Sequence, residues 1–234
     1  MEIPKDGPLG SGIVAAIHSG DLAALERLLG ENPGLATARI VDAKGVRRTV
    51  LHTVADWPGH FPNGAATVAV LIAAGADPDA PVIGGNAPET PLHGAASSDD
   101  VAVLDALLDG GADIEAPGAI FTGGSAMSDA VIFAQWKCAR RLLERGARTT
   151  LSQSAALGLL ERVEKFFAGS PTPDEITTSF WHACRGGQRW TAEYLLSHGA
   201  ELNWLGYDRL TPLGAARKSG NQEFVEWLLG LGAV

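Results

Sequence analysis

One short segment of this chain keeps returning. Leu107-Leu108-Asp109-Gly110-Gly111-Ala112-Asp113 recurs in outline as Leu142-Leu143-Glu144-Arg145-Gly146-Ala147, as Leu195-Leu196-Ser197-His198-Gly199-Ala200 and as Leu228-Leu229-Gly230-Leu231-Gly232-Ala233. A variant, Leu71-Ile72-Ala73-Ala74-Gly75-Ala76-Asp77, lies upstream. A second mark stands at a fixed distance before the glycine. Thr90-Pro91-Leu92-His93 opens 21 residues before Gly111, and Thr211-Pro212-Leu213-Gly214 opens 21 residues before Gly232. Thr49-Val50-Leu51-His52 opens 26 residues before Gly75, so that unit carries five extra residues.

Both marks have a physical reading. Thr can cap orphan amides at a helix start, and Pro at the first helical position loses nothing by lacking an N–H. Leu-Leu one turn before Gly-Ala gives a second helix its apolar stripe, which the glycine ends in a left-handed cap. Each unit therefore reads as a short helix, a turn, a second helix and a loop. No unit of this size buries its own apolar face, so neighbours must stack, and stability is roughly a nearest-neighbour sum. The Leu pairs, Val103, Val163 and Val225 are expected in the core, as are Phe166 and Phe167 in the Leu-Leu slots.

The Thr-Pro-Leu-His opening and the Gly-Ala close resemble the ankyrin repeat, with its period of about 33 residues. The resemblance implies an all-α ankyrin-repeat solenoid of stacked helix-turn-helix units with short hairpin loops, one domain over 1–234. Units are expected to open near Ser11, Thr49, Thr90, Ser125, Thr149, Thr178 and Thr211. The fourth and fifth openings, Ser125-Ala126-Met127-Ser128 and Thr149-Thr150-Leu151-Ser152, depart from the motif. The step from Gly146 to Thr149 is too short for a hairpin and predicts a bare turn. The resemblance also gives His52 and His93 a structural task, hydrogen-bonding backbone between units. Trp227 is expected to cover the end of the stack.

The same resemblance implies a groove lined by first helices and hairpin tips. Residues the frame does not need are then the candidates for function. Asp56, Trp57, His60 and Phe61 belong to the five-residue insertion, where Pro58 and Pro62 stop the first helix. Ser97, Asp129 and Phe133 occupy groove slots of the third and fourth units. In the sixth unit Trp181 takes the motif-histidine position and displaces His182 to the groove side, with Arg185 one turn on. Trp204 and Tyr207 mark an aromatic hairpin, and Ile120-Phe121 another. Together these residues are the expected binding set, because clustered exposed aromatics mark interaction sites.

Catalytic templates fail on spacing. Gly123-Gly124-Ser125-Ala126-Met127 lacks the closing glycine of a nucleophile elbow, and His182 and Cys184 lie two apart, on different helix faces. No phosphate loop or dinucleotide fingerprint occurs. His52 and Asp56 have i, i+4 spacing with His60 nearby, but Pro58 breaks the helix, so no metal site is expected. No cofactor is expected either. If the groove were catalytic, Asp56, Asp129, His182 and Arg185 would carry acid–base chemistry on a small molecule. The favoured reading is a binding module whose concave groove holds a protein or peptide, with an enzyme acting on a small molecule through the same groove second.

Composition narrows the partners. Net charge is −9, with 27 acids against 18 bases, which argues against nucleic acid and anionic membrane. The longest apolar stretch, 65–76, falls short of the roughly 20 residues a membrane span needs. The opening residues lack the apolar core of a secretory signal. Two cysteines outside any CxxC pair leave no disulfide or zinc framework, so a reducing cytoplasm is expected. Thirteen Arg against five Lys in an Ala- and Gly-rich chain hints at a bacterial source.

Overall fold

The computed structural model describes residues 1–234 throughout. The chain forms two compact units, Met1–Ala147 and Arg148–Val234. In the first, helices run in pairs: α1 (Pro8–Ser19) and α2 (Leu22–Glu31), α3 (Val50–Ala55) and α4 (Gly64–Ala73), α5 (Pro91–Ser97) and α6 (Val101–Asp109), α7 (Ala126–Ile132) and α8 (Trp136–Glu144). In the second the pairs are α9 (Leu151–Ala156) and α10 (Leu160–Phe166), α11 (Pro173–Arg185) and α12 (Arg189–Ser197), α13 (Pro212–Ser219) and α14 (Gln222–Gly230). The fold class is the expected all-α solenoid.

First helices start where a hydroxyl can cap them. Thr49, Thr90, Ser125 and Thr211 are N-caps, as the repeat frame requires. Three starts differ. α1 begins at Pro8, before Ser11, and α9 is capped by Thr150 rather than Thr149. α11 is capped by Thr172, six residues before Thr178, with Pro173 at its first position and Glu175 closing a reciprocal capping box. That triad satisfies two orphan amides and outcompetes Thr178, which has neither partner.

The histidine of the motif completes the cap. The Thr49 N–H donates to His52 Nδ1 at 3.2 Å, and the Thr90 N–H donates to His93 Nδ1 at 3.1 Å. A nitrogen that accepts an N–H carries no proton, so each ring is neutral and donates from Nε2. His52 Nε2 meets the Glu89 carbonyl at 3.0 Å, and His93 Nε2 meets the Gly124 carbonyl at 3.2 Å. Each histidine thus ties its own helix start to the following hairpin. Burial pushes the His52 pKa down to about 4, which the Glu89 bond only partly opposes.

Second helices bury one leucine of each pair, not both. Leu107, Leu142, Leu195 and Leu228 are fully buried, whereas Leu108, Leu143 and Leu196 are half-buried and Leu229 is exposed. Successive helical residues point about 100° apart, so an apolar face of ordinary width takes only one of two neighbours. The same geometry corrects the expectation for Phe166, which is 38% exposed. Helix α10 ends there in a tighter turn over Phe167–Gly169, and Phe167 packs edge-on against Tyr194 instead. Gly111, at φ +94°, ends α6 in the left-handed region that the Gly-Ala close predicted.

A small sheet is added to the helical array. β1 (Glu2–Pro4) pairs parallel with β2 (Arg39–Val41), and β2 pairs antiparallel with β3 (Arg47–Thr49). Asp42 accepts the Lys44 and Val46 amides and so shapes the β2–β3 turn. Arg47 bridges onward to Ile83 in the next hairpin. Across the outer helices Arg141 and Arg145 both reach Asp105, at 2.7 and 3.0 Å. In the second unit Phe180 and Phe224 centre the core, and Trp227 stacks on Phe224 with the Arg189 guanidinium over its outer ring face.

Candidate functional site

In the first unit the acids Glu89, on the hairpin before α5, and Asp129, in α7, interact. Asp129 has 0% exposure, and neither carboxylate oxygen has a well-formed hydrogen bond, the Ile120 amide lying near. Burial, with the Glu89 carboxylate adding to it, raises its pKa to about 7, while the nearby Ile120 amide offsets a part. Glu89 is half-buried and is itself pushed up by desolvation, with Arg48 pulling it down and Asp56 pushing it up. Glu89 therefore feels Asp56, and Asp129 feels Glu89. Beside Asp129 the exposed rings of Phe121 and Phe133 meet at 6.0 Å.

Glu89 was not among the sequence candidates, and it is the residue that couples the other two acids. The signal was available. It stands immediately before the Thr90 cap, on the same hairpin whose carbonyl receives His52.

The insertion after α3 is anchored at both ends. Asp56 leaves the helix in an extended conformation and is exposed, so it does not share a helical face with His52. The His60 N–H donates to Asp100 at 2.7 Å and its Nε2 meets the Ser98 carbonyl at 3.0 Å. Asn63 donates to the Gly20 carbonyl, and Phe61 stacks on His18 with centroids 4.0 Å apart. His60 and Phe61 are thereby scaffold contacts of the loop, and Trp57 is left 84% exposed at its tip. Ser97 turns back on the Gly94 carbonyl of its own helix.

The second unit holds a separate cluster. Trp181 occupies the motif-histidine position, and its indole N–H donates to the Leu210 carbonyl at 2.9 Å. His182 packs against Trp181 at 5.2 Å and Tyr207 at 5.6 Å, while Tyr207 also meets Trp181 at 5.3 Å and Trp204 at 6.1 Å. Desolvation, with Arg185 nearby, holds the His182 pKa down at about 4. His182 Nδ1 and Arg185 Nη1 are both shielded from solvent without a hydrogen-bond partner. Cys184 points elsewhere, fully buried, and burial pushes its thiol well up. A buried thiol of that kind is no nucleophile.

No group of three His, Cys, Asp or Glu side chains is placed to share a metal ion, and no helix is long and apolar enough to cross a membrane. Residues 89–119 match the family model for the ankyrin repeat. Among solved structures, the crystal structure of the human ASB11 ankyrin repeat domain is similar over 95% of this chain and 97% of that chain. Its TM-score is 0.53 at 20% sequence identity, a likeness of fold. Comparison with curated proteins gave no match. The chain carries an ankyrin repeat and folds as an ankyrin-repeat solenoid.

Proposed function

We propose that this ankyrin-repeat chain is a binding module whose first unit holds a protein or peptide partner through a basic side chain. The observation that carries the reading is Asp129, a fully buried carboxyl with no well-formed hydrogen bond beyond the weak approach of the Ile120 amide, and a second carboxylate, Glu89, beside it. An unpaired buried polar group is costly, and a Lys or Arg brought to it recovers that cost. Phe121 and Phe133 offer an apolar shelf next to the acids, and Trp57 offers a further anchor. The net charge of −9 steers a basic partner toward the chain.

A display library of short peptides tests this. Selected sequences are expected to pair Lys or Arg with a neighbouring aromatic or aliphatic residue. Asp129→Asn is expected to weaken them about tenfold, the scale of one charge-assisted hydrogen bond. Selection without basic residues, or equal binding by Asp129→Asn, sinks the reading. Because a bound cation favours the ionised carboxylate, affinity also rises as pH passes upward through about 7.

A second reading rests on the same residue. A carboxyl that titrates near neutrality is suited to general acid–base work on a small molecule. Turnover lost in Asp129→Asn with ligand affinity kept would favour it. Within the proposal residues 1–234 are one domain, for which calorimetry should give a single transition. Cys138 and Cys184, both buried free thiols, support a reducing cytoplasm as the place of work.

A further inference from the structure

We infer that His182 and Arg185, walled by Trp181, Trp204 and Tyr207, form a binding site in the second unit for a carboxylate carried on a flat apolar group. The inference does not rest on the first-unit reading. Residues 182 and 185 lie three apart in α11, on one face of the helix. Arg185 Nη1 and His182 Nδ1 are both dry and both unpaired. Six polar side-chain atoms in the chain share that condition, and here two sit within one turn. A guanidinium arm presents donors in a plane that matches carboxylate geometry, and burial without an anion is costly for it.

The neighbouring imidazole is neutral, held so by burial and by the Arg185 charge itself. It therefore adds a hydrogen bond and no second charge, so the pair suits one negative charge and not a dianion. Asp208, next to Tyr207, is met by Lys218 at 4.0 Å, which offsets its charge. The walls set the rest of the ligand. Trp181, His182 and Tyr207 meet one another edge-on or tilted at 5.2 to 5.6 Å, and Trp204 backs Tyr207. Rings in that arrangement leave faces and edges for another flat ring.

Tyr207, which meets the His182 ring at 5.6 Å, belongs to the Tyr207–Arg209 turn. Asp208 and Arg209 both hold φ of +55°, in the left-handed region that non-glycine residues avoid, and Tyr207 is 53% exposed. A ligand that displaces Tyr207 gains the two unpaired nitrogens beneath it. The carboxylate has two possible sources, a free organic acid or the C-terminus of a peptide, and both present the same chemistry.

Titration of the full chain with benzoate, benzamide, and a dipeptide ending in Phe as free acid or amide tests the inference by amide-resolved NMR. Saturable shifts confined to 180–186 and 204–210 are expected with benzoate or the free-acid dipeptide, and none with the two amides. Benzoate binding alone identifies a small-acid site, and dipeptide binding alone a peptide terminus. Arg185→Gln is expected to weaken binding about tenfold or more, and Arg185→Lys less, because Lys lacks the planar fork. Arg185→Gln should also melt no lower than the parent, since Nη1 has no partner to lose. Equal binding of acids and amides, no saturation by either acid, undiminished binding in Arg185→Gln, or its unfolding would each overturn the inference.

Discussion

The indole N–H of Trp181 donates to the carbonyl of Leu210 at 2.9 Å. Elsewhere in the array that bond, from a first helix to the hairpin that follows it, belongs to a histidine, as between His52 and Glu89 or His93 and Gly124. Tryptophan keeps the long reach and the single donor of the neutral Nε2–H imidazole. It gives up the second nitrogen that closes the cap, and α11 compensates with its own box between Thr172 and Glu175. The substitution also brings a large ring to the site where His182 and Tyr207 meet.

Trp181→Phe removes the donor and keeps most of the ring. The Leu210 carbonyl still accepts the Gly206 N–H at 3.0 Å, so no buried acceptor is orphaned. The expected loss is therefore about 0.5–1.5 kcal/mol in urea unfolding. Trp181→Ala empties the slot as well and should cost about 3–5 kcal/mol.

Leu107→Ala should destabilise the chain by about 2–5 kcal/mol, since this side chain is fully buried between neighbouring pairs. Leu108→Ala should cost clearly less, because that neighbour is only half-buried. Equal losses measured by urea unfolding would contradict the division of labour within the Leu pair.

Acid should loosen the motif caps. The folded-state pKa of His52 is lowered from 6.5 to about 4, so the unfolded chain takes up a proton first as pH falls. Stability from this ring is complete above pH 6.5 and drains between 6.5 and 4, by at most about 3 kcal/mol. Protonated Nδ1 would also face the Thr49 N–H with a second donor. Unfolding of the parent and His52→Gln at pH 7 and pH 5 checks this; the parent should lose more on acidification than the variant does.

Asp129 acts with the opposite sign. Its pKa rises from 3.8 to about 7 on folding, so the folded state holds the proton longer and stability falls as pH rises from about 4 to 7. The penalty above pH 7 is at most about 4 kcal/mol. Asp129→Asn should therefore be more stable than the parent at pH 8 and nearly equal at pH 4. A variant less stable at pH 8 would show that the carboxylate has a partner.

Trp57→Ala should leave stability within about 1 kcal/mol, because the ring is 84% exposed. His60→Ala, by contrast, removes the ring that ties the loop to the Ser98 carbonyl and is expected to raise amide exchange across 57–63. Unchanged exchange in His60→Ala would mean the loop is held by the backbone N–H bond to Asp100, Phe61 and Asn63 without the imidazole.

The sequence by itself determined the caps at Thr49, Thr90, Ser125 and Thr211 and the Gly-Ala closes, and it misplaced the starts of α1, α9 and α11. Thr-Pro, Leu-Leu and Gly-Ala act through local forces, capping, amphipathic spacing and left-handed φ, which need no knowledge of distant residues. It determined the motif histidines for the same reason, since Thr49 and His52 are three apart. Only the tertiary structure decided which candidates meet. Glu89 couples to Asp129 from forty positions away, across two hairpins, and no spacing rule joins them. His60 and Phe61 are tied to Asp100, Ser98 and His18 by contacts that no spacing rule gives. Burial decided the rest: whether Asp129, His182 and Arg185 are solvated or dry depends on which hairpin folds over them. Desolvation is a property of the enclosing neighbours and is absent from the residue itself.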